Sequence, residues 1–264
     1  MKQPLLLRNL YHYRRYICFN AWNELHLRYA GTGIGIFWNL IHPICEVVIY
    51  TVVFSLLLSR GAQTQHYSYA LYLTTGLLPW RTFVDAIAQG GNAFSQNSTY
   101  LKRLAIPPEI FVAKVAAIAL LLLLVYLVLL LPLSAMFGGQ LGFGILLLPL
   151  LAMLLHGLGF GMELAIANLQ TLFPDIRQML QFLIPLWSWT MPIFYPDTII
   201  PKSIQPFLYL NPPYVFIESI RYVMLENRIP GIEAWTIMIA WIGLFLWLGT
   251  AVNNTLQNDV RDVI

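Results

Sequence analysis

Six stretches of this 264-residue chain are apolar and long enough to cross a bilayer, at about 33–59, 68–94, 109–134, 144–170, 179–195 and 234–252. A helix needs roughly 20 such residues to span a hydrocarbon core of ~30 Å, and at that depth each backbone amide must be bonded within protein. Composition points the same way, with 58% hydrophobic and only 10% charged residues and a mean hydropathy of +0.67. The predicted fold is an all-α integral membrane protein: an interface helix over residues 1–32, then one transmembrane domain of six helices over 33–264. The fifth span is short and runs into prolines.

Cationic residues near span ends favour the cytoplasmic side. Lys2, Arg8, Arg14, Arg15 and Arg28 precede the first span, whereas the loop from Arg60 to Tyr67 carries one cation. This places both termini in the cytoplasm. Lys102, Arg103 and Arg177 then fall inside, and Lys202, Arg221 and Arg228 outside, offset by Asp197, Glu218, Glu226 and Glu233. The opening residues show no cleavable leader, because Leu, Tyr and Arg alternate instead of forming one apolar core before small residues. Leu6, Leu10, Tyr13, Ile17 and Trp22 make an apolar face, with Arg8, Arg14 and Arg15 between them. That pattern suits a helix in the membrane interface, its cations and Arg28 among lipid headgroups, and equally a helix docked on the protein.

Several chemistries are excluded. No G-x-x-x-x-G-K-[ST] loop occurs, so any ATP-driven work needs a partner. Cys18 and Cys45 form no C-x-x-C pair, and the five histidines show no metal or triad spacing. No enzyme activity, metal or nucleic-acid partner is expected.

Three segments carry a family resemblance: Gly76-Leu77-Leu78-Pro79-Trp80, Pro192-Ile193-Phe194-Tyr195-Pro196 and Leu210-Asn211-Pro212. With Arg28-Tyr29 to Gly35, Trp38, Pro43 and the loop Phe173-Pro174-Asp175-Ile176-Arg177, the chain resembles permease subunits of ABC-2 type polysaccharide exporters, the O-antigen permeases foremost and capsule and teichoic-acid permeases next. Many members carry Arg where this chain has Pro174. The resemblance implies a homodimer joined to two copies of a separate ATPase, which binds the ATP and magnesium. It implies movement of a lipid-linked glycan across the bacterial inner membrane, re-entrant periplasmic helices before the last span, and an ATPase contact at the loop of Asp175 and Arg177.

The segment 97–108 is short, polar and basic, and Tyr100, Lys102, Arg103 and Leu104 are its candidate ATPase contacts; a plain solvated connector is the simpler alternative. Within the spans, charged side chains are costly and face partners or water. Counted from the cytoplasmic ends, Glu46 and Arg81 both lie about 13 residues deep, roughly 20 Å at 1.5 Å per residue. His42 and Asp85 match one turn nearer the cytoplasm, which gives two rungs between adjacent helices. The rungs either clasp the helices or line a polymer path. Glu163 is placed near interfacial water, Lys114 is read as snorkelling, and His156 as a hydrogen-bonded interior residue.

Aromatics make up 14% of the chain. Trp187, Trp189, Phe194 and Tyr195 crowd the outer end of the fifth span, with Tyr209 and Tyr214 beyond. Such rings can stack on sugars without fixing one hydroxyl pattern, although an ordinary interfacial belt has the same composition. The stretch 196–233 is apolar but broken by prolines, so two short helices, about 203–209 and 213–226, are predicted as an outer gate. An ion-driven transporter using the intramembrane carboxylates, and an ABC exporter of drugs or simple lipids, are the rival readings.

Overall fold

The computed structural model describes residues 4–27, 33, 35–58, 68–104 and 106–263. Arg28 and the loop Arg60 to Tyr67, both used in the charge argument, lie outside the described residues. The regular structure among the described residues is helical: α1 (Pro4–His12), α2 (Arg14–Leu27), α3 (Trp38–Leu58), α4 (Tyr69–Gly90), α5 (Ala93–Gln96), α6 (Ser98–Arg103), α7 (Glu109–Met136), α8 (Leu148–Leu172), α9 (Asp175–Trp189), α10 (Tyr214–Glu226) and α11 (Ile232–Val263). Short 3-10 turns precede α3 and α8, and two more, Asp197–Ile199 and Gln205–Leu210, lie between α9 and α10. Among the described residues, three helical stretches are long and apolar enough to cross a membrane: Glu109–Met136, Phe143–Leu172 and Ile232–Val263. The last runs eleven residues past the predicted end at 252.

Helix α8 is the axis of the bundle, with α4, α7, α10 and α11 packed around it. A single core joins them, through Phe83, Leu123, Leu151, Leu155, Phe216 and Met238 among others. The α8–α11 crossing is backbone on backbone. A Cβ on Gly161 would strike the Phe245 and Leu246 backbone, and one on Gly249 would strike the Gly161 carbonyl. Small residues at such crossings give the close packing that drives helix association in lipid, where apolar burial alone offers little gain. One level along, Asn168 Nδ2 donates to Asn253 Oδ1 at 3.1 Å.

The N-terminal segment forms two helices, turned at Tyr13, instead of one. Ile17, Ala21 and Leu25, spaced by one turn each, are buried, and Leu6, Leu10 and Tyr13 pack partly against Ile110, Phe111 and neighbouring core residues. Asn9 Nδ2 donates to Glu109 Oε1 at 2.8 Å, and Glu24 pairs with Lys114 at 2.8 Å. Lys114 therefore does not snorkel. Its ammonium is held by Glu24 and lies 3.5 Å from Asn97 Oδ1. Trp22 stays exposed beside His26, and Arg8, Arg14 and Arg15 are exposed on these helices.

The glycine crossing yields a direct expectation. Gly249→Ala should destabilise the chain by about 1–3 kcal/mol through overpacking, because the clashing atom is backbone and cannot rotate away. Gly243→Ala meets nothing within 4 Å and should be nearly silent. Equal melting temperatures for the two variants in detergent would contradict the close crossing.

Candidate translocation site and coupling surface

One end of the bundle is organised by Arg221, on the packed face of α10. Its side chain is 2% exposed. Nη1 lies 2.6 Å from the Pro192 carbonyl, 3.0 Å from the Tyr72 hydroxyl and 3.4 Å from Glu218 Oε2, while Nη2 donates to the Ile193 carbonyl at 3.3 Å. The guanidinium also sits over the Tyr72 ring, 4.0 Å from its centroid, a cation–π arrangement that strengthens when desolvated. Gly76 makes the room, since a Cβ there would collide with the guanidinium. Chain leaving α9 is nonhelical from Met191 to Tyr195 and buried from Met191 to Phe194, so its carbonyls need donors other than water. Arg221 and two tyrosines supply them: the Tyr72 hydroxyl lies 3.0 Å from Pro192 O and 3.1 Å from Tyr195 O, and the Tyr69 hydroxyl donates to Phe194 O at 2.7 Å.

Asn211 ties in the next segment. Its Oδ1 accepts from Trp187 Nε1 at 2.8 Å, and its Nδ2 donates to Thr190 Oγ1 at 3.0 Å. Trp187 is edge-on to Trp80 and Phe83 at 5.2 and 5.9 Å between centroids. The segments around Gly76, Pro192 and Asn211, far apart in sequence, thus meet in one cluster. The charge count set Arg221 outside, offset by Asp197, Glu218, Glu226 and Glu233, and did not anticipate its burial.

The candidate aromatics divide by burial. Phe194 and Tyr214 are core residues and Trp187 is largely turned inward, whereas Trp189 is 60% and Tyr209 46% exposed, with Tyr195 between. Tyr195 donates its hydroxyl to the Trp189 carbonyl at 2.9 Å. The rings therefore divide between those that pack and those that are exposed.

On α3 and α4 the structure brings Arg81 against Glu46 in an ion pair, and Arg81 Nε lies 3.8 Å from Asp85 Oδ2. His42, Arg81 and Asp85 line one polar cavity of about 320 Å³ between α3, α4 and α7. A second crevice, about 400 Å³, lies along His42, Glu46, Tyr50 and Arg81. Arg81 stands between the two.

Glu163 and His156 depart from their predicted settings. Glu163 is fully buried, not at interfacial water, because its stem packs on Gly90 of α4; among the described residues neither carboxylate oxygen has a hydrogen-bond partner. His156 is buried, and among the described residues neither ring nitrogen has a hydrogen-bond partner. The glycine at position 90 is what admits Glu163, and nothing local to Glu163 in the sequence signals that contact.

On the cytoplasmic side of the reading, α6 exposes Tyr100, Lys102 and Arg103, followed by exposed Leu104. It is firmly held from below. Asn97 is buried and bonds the Ala93 carbonyl at 2.7 Å, Gln170 donates to Asn92 Oδ1 at 2.9 Å, and Phe94 is fully buried. Asp175 and Arg177 are exposed in the first turn of α9, where Asp175 suits the positive end of the helix dipole.

This helical membrane bundle matches the family model described as ABC-2 type transporter over residues 15–225, and the chain belongs to that family, a membrane subunit that works with an ATP-binding subunit. It is 23% identical to the O-antigen export system permease protein RfbA of Myxococcus xanthus over 261 residues, 98% of this chain and 99% of the relative. Two proteins of the same name from Klebsiella pneumoniae are each 22% identical, one over 91% of this chain and 92% of its own length, the other over 78% of both.

The ion pair between Glu46 and Arg81 gives the site's test. Arg81→Ala leaves an acid in a poorly solvated place, at a cost of about 1–3 kcal/mol or more. Adding Glu46→Ala should recover part of the loss, read as folded protein recovered in detergent. Additive losses across the cycle would show the two residues to be uncoupled.

Proposed function

We propose that this chain is the permease subunit of an ABC transporter that exports a lipid-linked polysaccharide of the O-antigen type across the bacterial inner membrane. The observation that carries the reading is likeness along almost the whole chain to a permease named for O-antigen export, in a chain without a phosphate-cradling loop of its own. ATP and magnesium bind two copies of a separate partner, and two copies of this chain surround the path. A symmetric pair suits a long polymer, since one bundle packed around α8 has little interior left for it.

In this reading both termini are cytoplasmic and α3, α4 and α9 complete six spans with α7, α8 and α11. Helix α9 is 15 residues, or about 22 Å, too short to cross alone; the segment pinned by Arg221 completes its passage. The turns and α10 between residues 196 and 233 form the outer gate. Glu46, Arg81 and Asp85 line the path in the membrane, Trp189, Tyr195 and Tyr209 offer ring faces at its exit, and Trp187, Phe194 and Tyr214 hold the exit's shape. Arg8, Arg14 and Arg15 meet lipid headgroups. The ATPase grips Tyr100, Lys102, Arg103 and Leu104, with Asp175 and Arg177 as a second contact. An exposed face on a rigidly held short helix is the feature needed to pass ATP-driven motion into the bundle.

The test is export in cells, with ATPase activity of the purified complex. Replacing Tyr100, Lys102 and Arg103 together with alanine should abolish polysaccharide export and weaken recovery of the ATPase with the permease, while leaving the permease folded. Normal export by that variant would remove the coupling assignment. Export that stops with a proton ionophore but continues without ATP hydrolysis would overturn the ABC reading in favour of an ion-driven carrier.

A further inference from the structure

Helix α8 carries three buried polar residues at intervals of seven, His156, Glu163 and Gln170, which sets them along one face about two turns apart. Each keeps a polar atom with no hydrogen-bond partner among the described residues: both ring nitrogens of His156, both carboxylate oxygens of Glu163 and Oε1 of Gln170. The last two meet consecutive glycines at the end of α4. A Cβ on Gly90 would collide with the stem of Glu163, and one on Gly91 with the amide of Gln170 and with Ile166. A Cβ on Gly159 would press on Glu163 Oε1 and touch the Phe83 ring. The carboxylate thus lies beside a glycine backbone and near an aromatic edge, neither of which offers it a donor.

Gly90 closes α4, and Gly91 leads into α5 and α6. Against α7 this arm is well satisfied: Ala93 and Phe94 are fully buried in one core with Ile110 and Phe111, and Asn97 Oδ1 lies 3.5 Å from the Lys114 ammonium. Its polar seat on α8 is a single hydrogen bond among the described residues, Gln170 Nε2 to Asn92 Oδ1 at 2.9 Å, beside the orphaned atoms of Glu163 and Gln170. A carboxylate shut away from both water and a partner is costly. Burial of Phe94 with Leu164 and Ala167 of α8 favours closure. The two terms oppose each other at one contact, which is the condition for an element with two discrete arrangements.

We infer that the seat of Gly90 and Gly91 on α8 is a two-position seam, shut in this structure, which opens Glu163 to cytoplasmic water when the ATP-binding subunit moves α6. This rests on the coupling reading at α6, and adds to it which contact inside the bundle gives way. In the open position Glu163 and Gln170 gain the water that they lack when the seam is shut. Glu163 is therefore a positioning residue for the ATP-driven stroke: its buried acid weakens the shut seam, so the arm moves without first breaking a fully satisfied interface.

The test uses the complete permease with its ATP-binding subunit in detergent. A water-soluble carbodiimide with a small amine converts carboxyls that meet water into amides, and mass spectrometry of the peptides reads Glu163, with exposed Asp259 as the reference. Glu163 should be labelled several-fold more with ATP and vanadate than without nucleotide, while Asp259 labels equally. Equal labelling of Glu163 in the two states, in complexes that hydrolyse ATP, would overturn the seam and leave the coupling reading standing. ATP-dependent labelling that persists when Tyr100, Lys102 and Arg103 are all alanine would remove α6 as the input, and both readings with it. Glu163→Met supplies a second readout. Methionine needs no partner, so this variant should melt several degrees higher and export several-fold more slowly, with unchanged recovery of the ATP-binding subunit. A lower melting temperature, or export at the parent rate, would contradict the seam, because the acid would then hold the structure together or contribute nothing to the stroke.

Discussion

A buried chain that stops being helical must find donors for its carbonyls, and here a buried arginine shares that demand with two tyrosines, Tyr69 and Tyr72. Arg221 reaches from α10 to the carbonyls of Pro192 and Ile193 and stacks on Tyr72 of α4. Its charge is offset by Glu218 at 3.4 Å and spread over carbonyl dipoles. Removing one member of such a buried set leaves the others uncompensated, which is why the loss exceeds that of a single hydrogen bond. Tyr69, Tyr72 and Gly76 on α4, and Trp187 with Asn211 beyond, are arranged around this anchor.

Both ends of the bundle are cross-braced. Ser134 donates to the Met224 carbonyl, and Asn227 caps α10 with φ near 52° while its Oδ1 accepts from Gly144, so α10 is wedged against the turn between α7 and α8. At the other end α5 and α6 are tied to α7 and α8 through Lys114 and Gln170. Helix α9 differs from both: none of its residues is buried, and Phe182, Leu183 and Leu186 remain exposed. Under the proposed coupling at α6, motion would therefore meet least resistance at α9.

The sequence disclosed what depends on depth and period. Counting residues from span ends was enough to place Glu46 with Arg81, since adjacent antiparallel helices bring equal depths together. The helices around 203–209 and 213–226 followed from prolines and apolar spacing, and the structure has a 3-10 turn at Gln205–Leu210 and α10 at Tyr214–Glu226. Contacts made only by folding stayed hidden. Lys114 was read as snorkelling because Glu24 lies ninety residues away, and Glu163 as near-interfacial because Gly90 on another helix creates its pocket. Arg221 did leave a trace: Ile217, Arg221 and Met224 share one face of α10, and the two apolar residues mark that face as inward. The charge count, which set Arg221 against Asp197, Glu218, Glu226 and Glu233, took no account of that periodicity.

The most direct measurement of the central claim is local protection of the pinned segment. In a chain whose exposed Cys18 and Cys45 are replaced by serine, a cysteine at Ile193 reports the segment and one at Leu151 reports the α8 core; both native side chains are fully buried. With Arg221 present, both should resist a thiol reagent in detergent. With Arg221→Met, the cysteine at Ile193 is expected to become reactive while that at Leu151 stays protected. A position 193 thiol as protected with methionine as with arginine would contradict the account, because the nonhelical segment would then be held by something other than Arg221.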